Sequence, residues 1–297
     1  MLRIIADSTC DISKEDARKM GIQIVPISVR FGNEEFLDGV EITHEEFYTR
    51  LAECDELPKT SQPSPDTFMK VFNEAVAAGD DVLGIFISSD LSGTYQSACL
   101  AALDVEEETE KKLYMVDSRS ASIGTALLIR EAVKLRDAGV NVADIAAACT
   151  EMSKYIKLTA VVGSLKYLKM GGRLSGAAAF AGTMLHITPV VSIEDGKVVV
   201  IGKTRGKKAA EKLMHDKLIK DGLSLTRDFM FGHINCSESL ETFINKSLTY
   251  ISDVNGNVGV SSIGWSVGTH VGPGTYGIAY VEAAESGMNR ESIVKTA

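Results

Sequence analysis

The chain has 297 residues, of which 45% are hydrophobic and 24% charged, so it can form one large or two ordinary globular domains. Its net charge of −9 argues against nucleic acid and anionic membranes as partners, because both attract cationic proteins. The start of the chain lacks the shape of a secretory signal, no apolar run approaches the roughly 20 residues that span a bilayer, and the five cysteines are scattered. We therefore expect a cytoplasmic protein with reduced thiols and no integral membrane segment.

Strand and helix patterns alternate through the first half of the chain. Capping signals at Ser13, Thr43 and Ser64 indicate helix starts, the last with a proline at the first helical position. In chain order, the patterns predict strands at 2–6, 22–31, 81–88 and 112–116, and helices that follow these caps, cover 92–102, end near 139 and cover 142–156. Because such alternation requires crossover connections, we predict an α/β fold with a mostly parallel sheet flanked by helices.

The composition changes after about residue 157, where glycine and alanine become frequent. The apolar patterns there predict strands at 197–204, 229–234, 259–264 and 276–282 and helices near 206–221 and 238–250. This half is typical of an α+β domain with a mixed or antiparallel sheet. We therefore predict two domains, one of residues 1–157 and one of residues 158–297.

The familiar cofactor and metal motifs are missing from the sequence. No GxGxxG pattern follows the first strand, and neither a GxxxxGK[ST] phosphate loop nor a GxSxG nucleophile elbow occurs. The five histidines show neither HExxH nor another paired metal-ligand spacing. We therefore predict neither a cofactor nor a bound metal.

Two clusters of hydroxyl residues in the first half are candidate donors to an anion. In "LSGTYQSA" (91–98), a helix that starts near Ser92 presents unpaired N–H groups, and Gly93 allows a ligand to approach the backbone. In "TSQPSP" (60–65), two prolines stiffen a loop that carries Thr60 and Ser61. Ordinary helix capping and a plain helix-entry loop explain the same patterns equally well.

Two glycine-rich clusters in the second half add a cation and a histidine. Arg173 follows the Gly-Gly turn of "LKMGGRLS" (168–175), and arginine is a bidentate partner for carboxylate or phosphate. His270 lies in "GTHVGPGTYG" (268–277), where four glycines and a proline indicate an irregular loop. An exposed turn arginine and a structural histidine remain the alternatives.

Taken together, these clusters resemble the DegV family of bacterial fatty-acid-binding proteins. Six segments carry the resemblance, and they span residues 6 to 277: "ADST", "KTSQPSP", "SSDLSGTYQSA", "VDSRSASIG", "LKMGGRLSG" and "GTHVGPGTYG". The resemblance implies a two-domain protein that holds one long-chain fatty acid between its lobes and has no catalytic centre of its own. It also implies a partner, a fatty acid kinase that converts the bound carboxylate into an acyl phosphate for phospholipid synthesis.

The resemblance also implies roles for particular residues. The ligand carboxylate is expected to meet hydroxyl, amide and imidazole groups of Ser92, Gly93, Thr60 or Ser61, and His270. Arg173 is the expected cation beside the head group, and Arg205 is expected to contact the kinase. The chain departs from the family at Thr188, where members commonly carry a lysine before the proline.

Two further hypotheses concern the same region of the sequence. The small and apolar segment 176–187 is a candidate wall for the acyl chain. Alternatively, Ser92 is a nucleophile with His270 as its base and Gly93 in an oxyanion hole, which would make the protein an acyl hydrolase or transferase. The missing nucleophile elbow argues against this enzyme.

Overall fold

The computed structural model describes residues 1–54, 56–176, 187–224, 226–250 and 256–283. The strands are β1 (Leu2–Asp7), β2 (Ile22–Val25), β3 (Ser28–Phe31), β4 (Glu34–Leu37), β5 (Lys59–Ser61), β6 (Asp81–Phe86), β7 (Tyr114–Asp117), β8 (Ile156–Val161), β9 (Thr188–Glu194), β10 (Lys197–Thr204), β11 (Phe229–His233), β12 (Val258–Ser262) and β13 (Tyr276–Val281). The helices are α1 (Lys14–Met20), α2 (His44–Glu53), α3 (Pro65–Ala77), α4 (Thr94–Thr109), α5 (Ile123–Asp137), α6 (Val142–Met152), α7 (Lys166–Met170), α8 (Lys207–Asp221), α9 (Ser237–Tyr250) and α10 (Trp265–Val271).

The first half of the chain forms a parallel sheet in the order β2-β1-β6-β7, which confirms the predicted α/β architecture. Consecutive side chains of β1 point to opposite faces, as the pleat requires. Ile4 packs in a core with α5 and α6, whereas Ile5 packs in a second core with α3 and α4. The three predicted caps also form, because the hydroxyls of Ser13, Thr43 and Ser64 each accept an N–H of the following helix.

The second half contributes a six-stranded sheet in the order β10-β9-β8-β13-β11-β12. Its pairs are antiparallel except for the parallel pair of β11 with β12, so the predicted mixed sheet is confirmed. Helices α8 and α9 cover one face around Met214 and Phe243. Strand β13, the last of the described strands in chain order, lies in the middle of the sheet between β8 and β11.

A small antiparallel sheet, β4-β3-β5, completes the described strands and packs with α2 and α10. Several boundaries differ from the sequence prediction. The single strand predicted at 22–31 is two strands, β2 and β3, which belong to different sheets. Helix α4 begins at Thr94 and continues to Thr109, and α6 ends at Met152, so that β8 begins at Ile156 where a helix was predicted. The "GTHV" part of the predicted glycine-rich loop is helical, because it forms the end of α10.

Two further expectations concern membrane contact and the acyl-chain wall. In the part of the chain that the structure describes, no helix is both long and apolar enough to cross a membrane. Of the segment 176–187, only the first and last residues are described. The predicted wall therefore lies outside the described residues.

Candidate functional site

A cavity lies between the carboxyl ends of the parallel strands and one face of the six-stranded sheet. It encloses about 920 Å³ of empty space, counting the part that is open to solvent. Ile87 and Ala121 line it from the loops after β6 and β7, and Val191 and Ile193 line it from β9. Ligands of open α/β sheets bind in this position, outside the carboxyl ends of the strands.

The part of the cavity lining formed by the six-stranded sheet, here called the floor, is apolar and includes two small residues on neighbouring strands. Ala160 of β8 and Gly277 of β13 lie opposite each other in the sheet and both line the cavity. A Cβ atom on Gly277 would lie 2.3 Å from the carbonyl oxygen of Thr159 and 2.8 Å from the Cβ of Ala160, so position 277 cannot carry a side chain without a shift. Larger apolar side chains also line the cavity, among them Leu158, Val198 and Val271. The shape and chemistry of the floor suit a hydrocarbon chain.

His270 lies at a polar part of the cavity lining. Its Nε2 is 2.9 Å from the Oγ1 of Thr60, and its Nδ1 has no hydrogen-bond partner among the described residues. The ring packs against Gly171 so closely that a Cβ at that position would overlap Nδ1. Burial, together with the nearby charge of Arg173, lowers the pKa of His270 to about 4, so the imidazole is neutral at pH 7.

Arg173 brings a positive charge to the same part of the cavity. Its Nη1 donates to the carbonyl of Gly171 at 2.6 Å and its Nε donates to the carbonyl of Leu91 at 3.2 Å. No Asp or Glu within the described ranges forms an ion pair with it. The guanidinium is therefore held in place by backbone acceptors while its charge stays without an anionic partner from those residues.

The hydroxyl cluster at the start of α4 borders the cavity through Ser92. The Oγ of Ser92 lies 2.9 Å from the Oγ1 of Thr94 and accepts the N–H of Thr94 at 3.3 Å. Gly93 has an ordinary φ of −74°, and a Cβ atom there would meet the amide end of the exposed Gln62 side chain, which would have to move. The N-cap of α4 is Gly93, which has no side chain to cap the helix, whereas Ser92 lies one residue earlier and faces the cavity.

The structure brings together some of the predicted site residues and separates others. Thr60, Ser92, Arg173 and His270 line the same cavity, and Gly93 follows Ser92 directly. Ser61 is an exposed residue of β5 that does not line the cavity.

The two positions in the C-terminal half also lie apart from the cavity lining. Arg205 is exposed in the turn between β10 and α8. Thr188 begins β9, where its carbonyl accepts the hydroxyl of Thr204. Thr188 thus takes part in an ordinary antiparallel pairing of β9 with β10.

Two buried carboxylates next to the cavity, Asp11 and Asp38, were not singled out in the sequence, and a third, Asp7, belongs to the segment "ADST" at the end of the first predicted strand. Burial raises the pKa of all three, and that of Asp11 is raised well above its ordinary value. Asp7 ends β1 and Asp11 follows the short turn after it, and this position near the carboxyl end of a strand is a signal for a role there. Asp38 has no comparable signal, because it meets its partners only through the tertiary fold.

The arrangement offers little to an acyl hydrolase. Ser92 pairs with Thr94, whereas the imidazole of His270 pairs with Thr60. No carboxylate of the described residues hydrogen-bonds to His270, so the orienting third member of a triad is missing there. The same ranges contain no group of three His, Cys, Asp or Glu side chains that could hold a metal ion.

Comparisons with known proteins all give the same family. Residues 1–283 match the family model described as "Uncharacterised protein, DegV family". A DegV domain-containing protein of Clostridium acetobutylicum is 35% identical over 289 residues, covering 94% of this chain and 97% of that protein.

Solved structures agree with the sequence comparison. A fatty-acid-binding DegV family protein of Thermus thermophilus superposes with a TM-score of 0.86 at 31% identity, covering 94% of this chain and 99% of that one. A stearic-acid-binding protein of Eubacterium ventriosum gives a TM-score of 0.83 at 29% identity, covering 96% of this chain and all of that one (100%).

Proposed function

The chain belongs to the DegV family, and on that premise we propose that it binds one long-chain fatty acid in the cavity between its two domains. The observation that carries this proposal is the division of the cavity lining. One part is a hydrocarbon floor around Ala160 and Gly277, and the other holds Arg173 beside the hydroxyls of Ser92 and Thr60. An amphipathic molecule with one anionic end matches both parts.

The polar part suits a carboxylate because it offers several donors and no competing anion from the described residues. Arg173 supplies the charge, and hydrogen bonds between charged groups are about twice as strong as neutral ones. The hydroxyls of Ser92 and Thr60 and the N–H groups at the start of α4 add further donors. The neutral imidazole of His270 either donates or accepts through Nε2, according to its tautomer.

The apolar part accounts for most of the binding free energy. Burial of hydrocarbon stabilises a complex by about 0.8 kcal/mol per CH₂, so a tail of ~16 carbons contributes roughly 10 kcal/mol before losses. Association itself costs several kcal/mol, which leaves a net affinity well below that sum. The head group therefore selects the orientation of the ligand, while the floor provides the affinity.

Purified protein should carry a fatty acid taken from its expression host, because so much apolar surface would otherwise meet water. Native mass spectrometry should show the mass of one fatty acid, and a denatured extract should release it in near-equal molar amount. The proposal would be wrong if the extract contained no lipid and the stripped protein also failed to bind added long-chain fatty acid.

We further propose that the loaded protein is the substrate-carrying partner of a fatty acid kinase, which supplies acyl phosphate for phospholipid synthesis. Support comes from the family resemblance and from an exposed basic segment at the turn before α8, composed of Lys203, Arg205, Lys207 and Lys208. An acidic surface on a kinase would complement it. Arg205 lies in the middle of this segment and has an exposed side chain.

Arg205→Glu should slow acyl-phosphate formation about tenfold, because a repulsive charge at the rim of an interface lowers the association rate. The assay combines loaded protein, a fatty acid kinase and ATP, and the fatty acid affinity of the variant should equal that of wild type. Lys220→Glu, at an exposed lysine near the far end of α8, is the matched control. A rate for Arg205→Glu equal to that of the control would contradict the assignment.

A further inference from the structure

The N-terminus of α10 is held by two carboxylates from the opposite end of the chain. The N–H of Gly264 donates to Asp11 at 2.8 Å. The N–H groups of Trp265 and Ser266 donate to the two oxygens of Asp38 at 3.1 and 3.2 Å. Three of the orphan donors at this helix start are thus satisfied by side chains 227 to 253 residues away in sequence.

Further contacts hold α10 from the same side. The hydroxyl of Tyr48 donates to the carbonyls of Ile263 and Gly264, and its ring packs against Gly268 with no room for a Cβ. The indole of Trp265 stacks on Phe47 with ring centroids 5.5 Å apart and planes inclined by 10°. The first turn of α10 is therefore fixed in position along the helix axis and in rotation.

The last turn of α10 carries the imidazole of the candidate site. Helix α10 has only seven residues, and Ser266, Val267, His270 and Val271 all line the cavity. Ser266 and His270 are four residues apart and hence on one face of the helix. Any shift or rotation of the first turn moves His270 relative to Thr60, because a helix this short behaves as a rigid rod of about two turns.

Burying two aspartates at the start of a helix costs folding free energy, because each carboxylate loses its contact with water. Both are almost fully buried, and neither forms an ion pair with a Lys or Arg of the described ranges. Burial raises the pKa of both carboxyls, and the charge of Asp38 adds to the rise at Asp11. Asp38 accepts a third bond from Ser8, and Asp11 also accepts the hydroxyl of Ser122, which lines the cavity. The stability of the fold does not require these hydrogen bonds to Asp11 and Asp38. The placement of hydrogen-bond donors around the cavity does require them.

From this geometry we propose that Asp11 and Asp38 are positioning residues for fatty acid binding, which act by fixing α10 and thereby His270 at the head-group end of the cavity. The inference deepens the proposed function and rests on it. Neither carboxylate lines the cavity itself, so their effect reaches the ligand through α10 and Ser122.

Asp38→Asn is the central test, because the amide keeps the shape of the side chain but replaces one acceptor with a donor that faces the helix N–H groups. Trp265 is the only tryptophan in the chain, so its fluorescence reports the start of α10 directly. In the ligand-free variant we expect red-shifted tryptophan emission and a displaced His270 ring resonance in NMR spectra. The fatty acid Kd should rise about tenfold.

Asp80→Asn is the matched control, because Asp80 is equally buried but pairs with Arg3 at the other end of β1. It should lower the Tm while leaving the Trp265 emission, the His270 resonance and the Kd at wild-type values. The proposal is overturned if Asp38→Asn also lowers only the Tm. Asp11→Asn, judged by the same three measurements, decides the matter if Asp38→Asn does not fold.

These measurements separate this inference from the proposed function. If the wild-type protein binds no fatty acid, the proposed function fails, and the fluorescence and NMR signals of the ligand-free variants still show whether the carboxylates position α10. If fatty acid binds but those signals do not respond to Asp38→Asn, the positioning role fails and the proposed function stands.

Discussion

Ala160→Phe should weaken fatty acid binding about 100-fold while the protein stays folded. The new ring would project from the floor into the cavity and displace about four methylene groups of the ligand. The binding free energy lost would be about 3 kcal/mol. The void that receives the ring exists in the wild-type protein, so little core packing is disturbed. Displacement of a fluorescent fatty acid measures the affinity, and thermal unfolding of the stripped protein measures the stability.

Val199→Phe is the control for this substitution. Val199 and its neighbour Val198 alternate on β10, and only Val198 lines the cavity. The control introduces the same ring into the same sheet on its opposite, half-exposed face. A wild-type affinity for Ala160→Phe would mean that the acyl chain does not run over the floor between β8 and β13.

Arg173→Gln should weaken binding roughly 30-fold, because a hydrogen-bonded charge pair contributes about 2 kcal/mol in a partly buried site. The loss should be larger for a fatty acid than for the corresponding uncharged alcohol, since only the acid interacts with the lost charge. Calorimetry with both ligands gives this difference directly.

The same variant should raise the pKa of His270. Arg173 contributes to the depression of that pKa to about 4, so removal of the guanidinium moves the value upward towards 6.5. Lys169→Gln, an exposed cation four residues earlier, should change neither the affinity nor the pKa. Equal effects of the two variants would show that the net charge of the region matters, and not the position of Arg173.

The order of helices and strands was largely readable from local signals. Hydroxyl caps at Ser13, Thr43 and Ser64 mark helix starts because they act on N–H groups only three residues away. Helix α10 was missed because it is short, lies between Gly264 and Gly272, and has a start capped by Asp11 and Asp38 from distant parts of the chain. A local sequence pattern cannot reveal a helix cap that is contributed by a distant residue.

The candidate site was predictable to a similar degree. Thr60, Ser92, Arg173 and His270 stood out as unusual residue clusters, and the fold brings all four to one cavity. The packing of Gln62 on Gly93 and of His270 on Gly171 was not predictable, because each contact depends on how separate loops approach each other. For the same reason the exposed position of Ser61 became visible only in the fold.

The central place of β13 has a consequence for how the protein is made. Until residue 281 has left the ribosome, the large sheet exists as two separate pieces, β10-β9-β8 and β11-β12, with no strand to join them. The nascent chain therefore cannot complete the cavity floor, since Gly277 belongs to the missing strand, and His270 is synthesised only shortly before it. Lipid loading into a complete cavity therefore requires β13, and the unpaired edges of β8 and β11 are exposed to aggregation until this strand inserts.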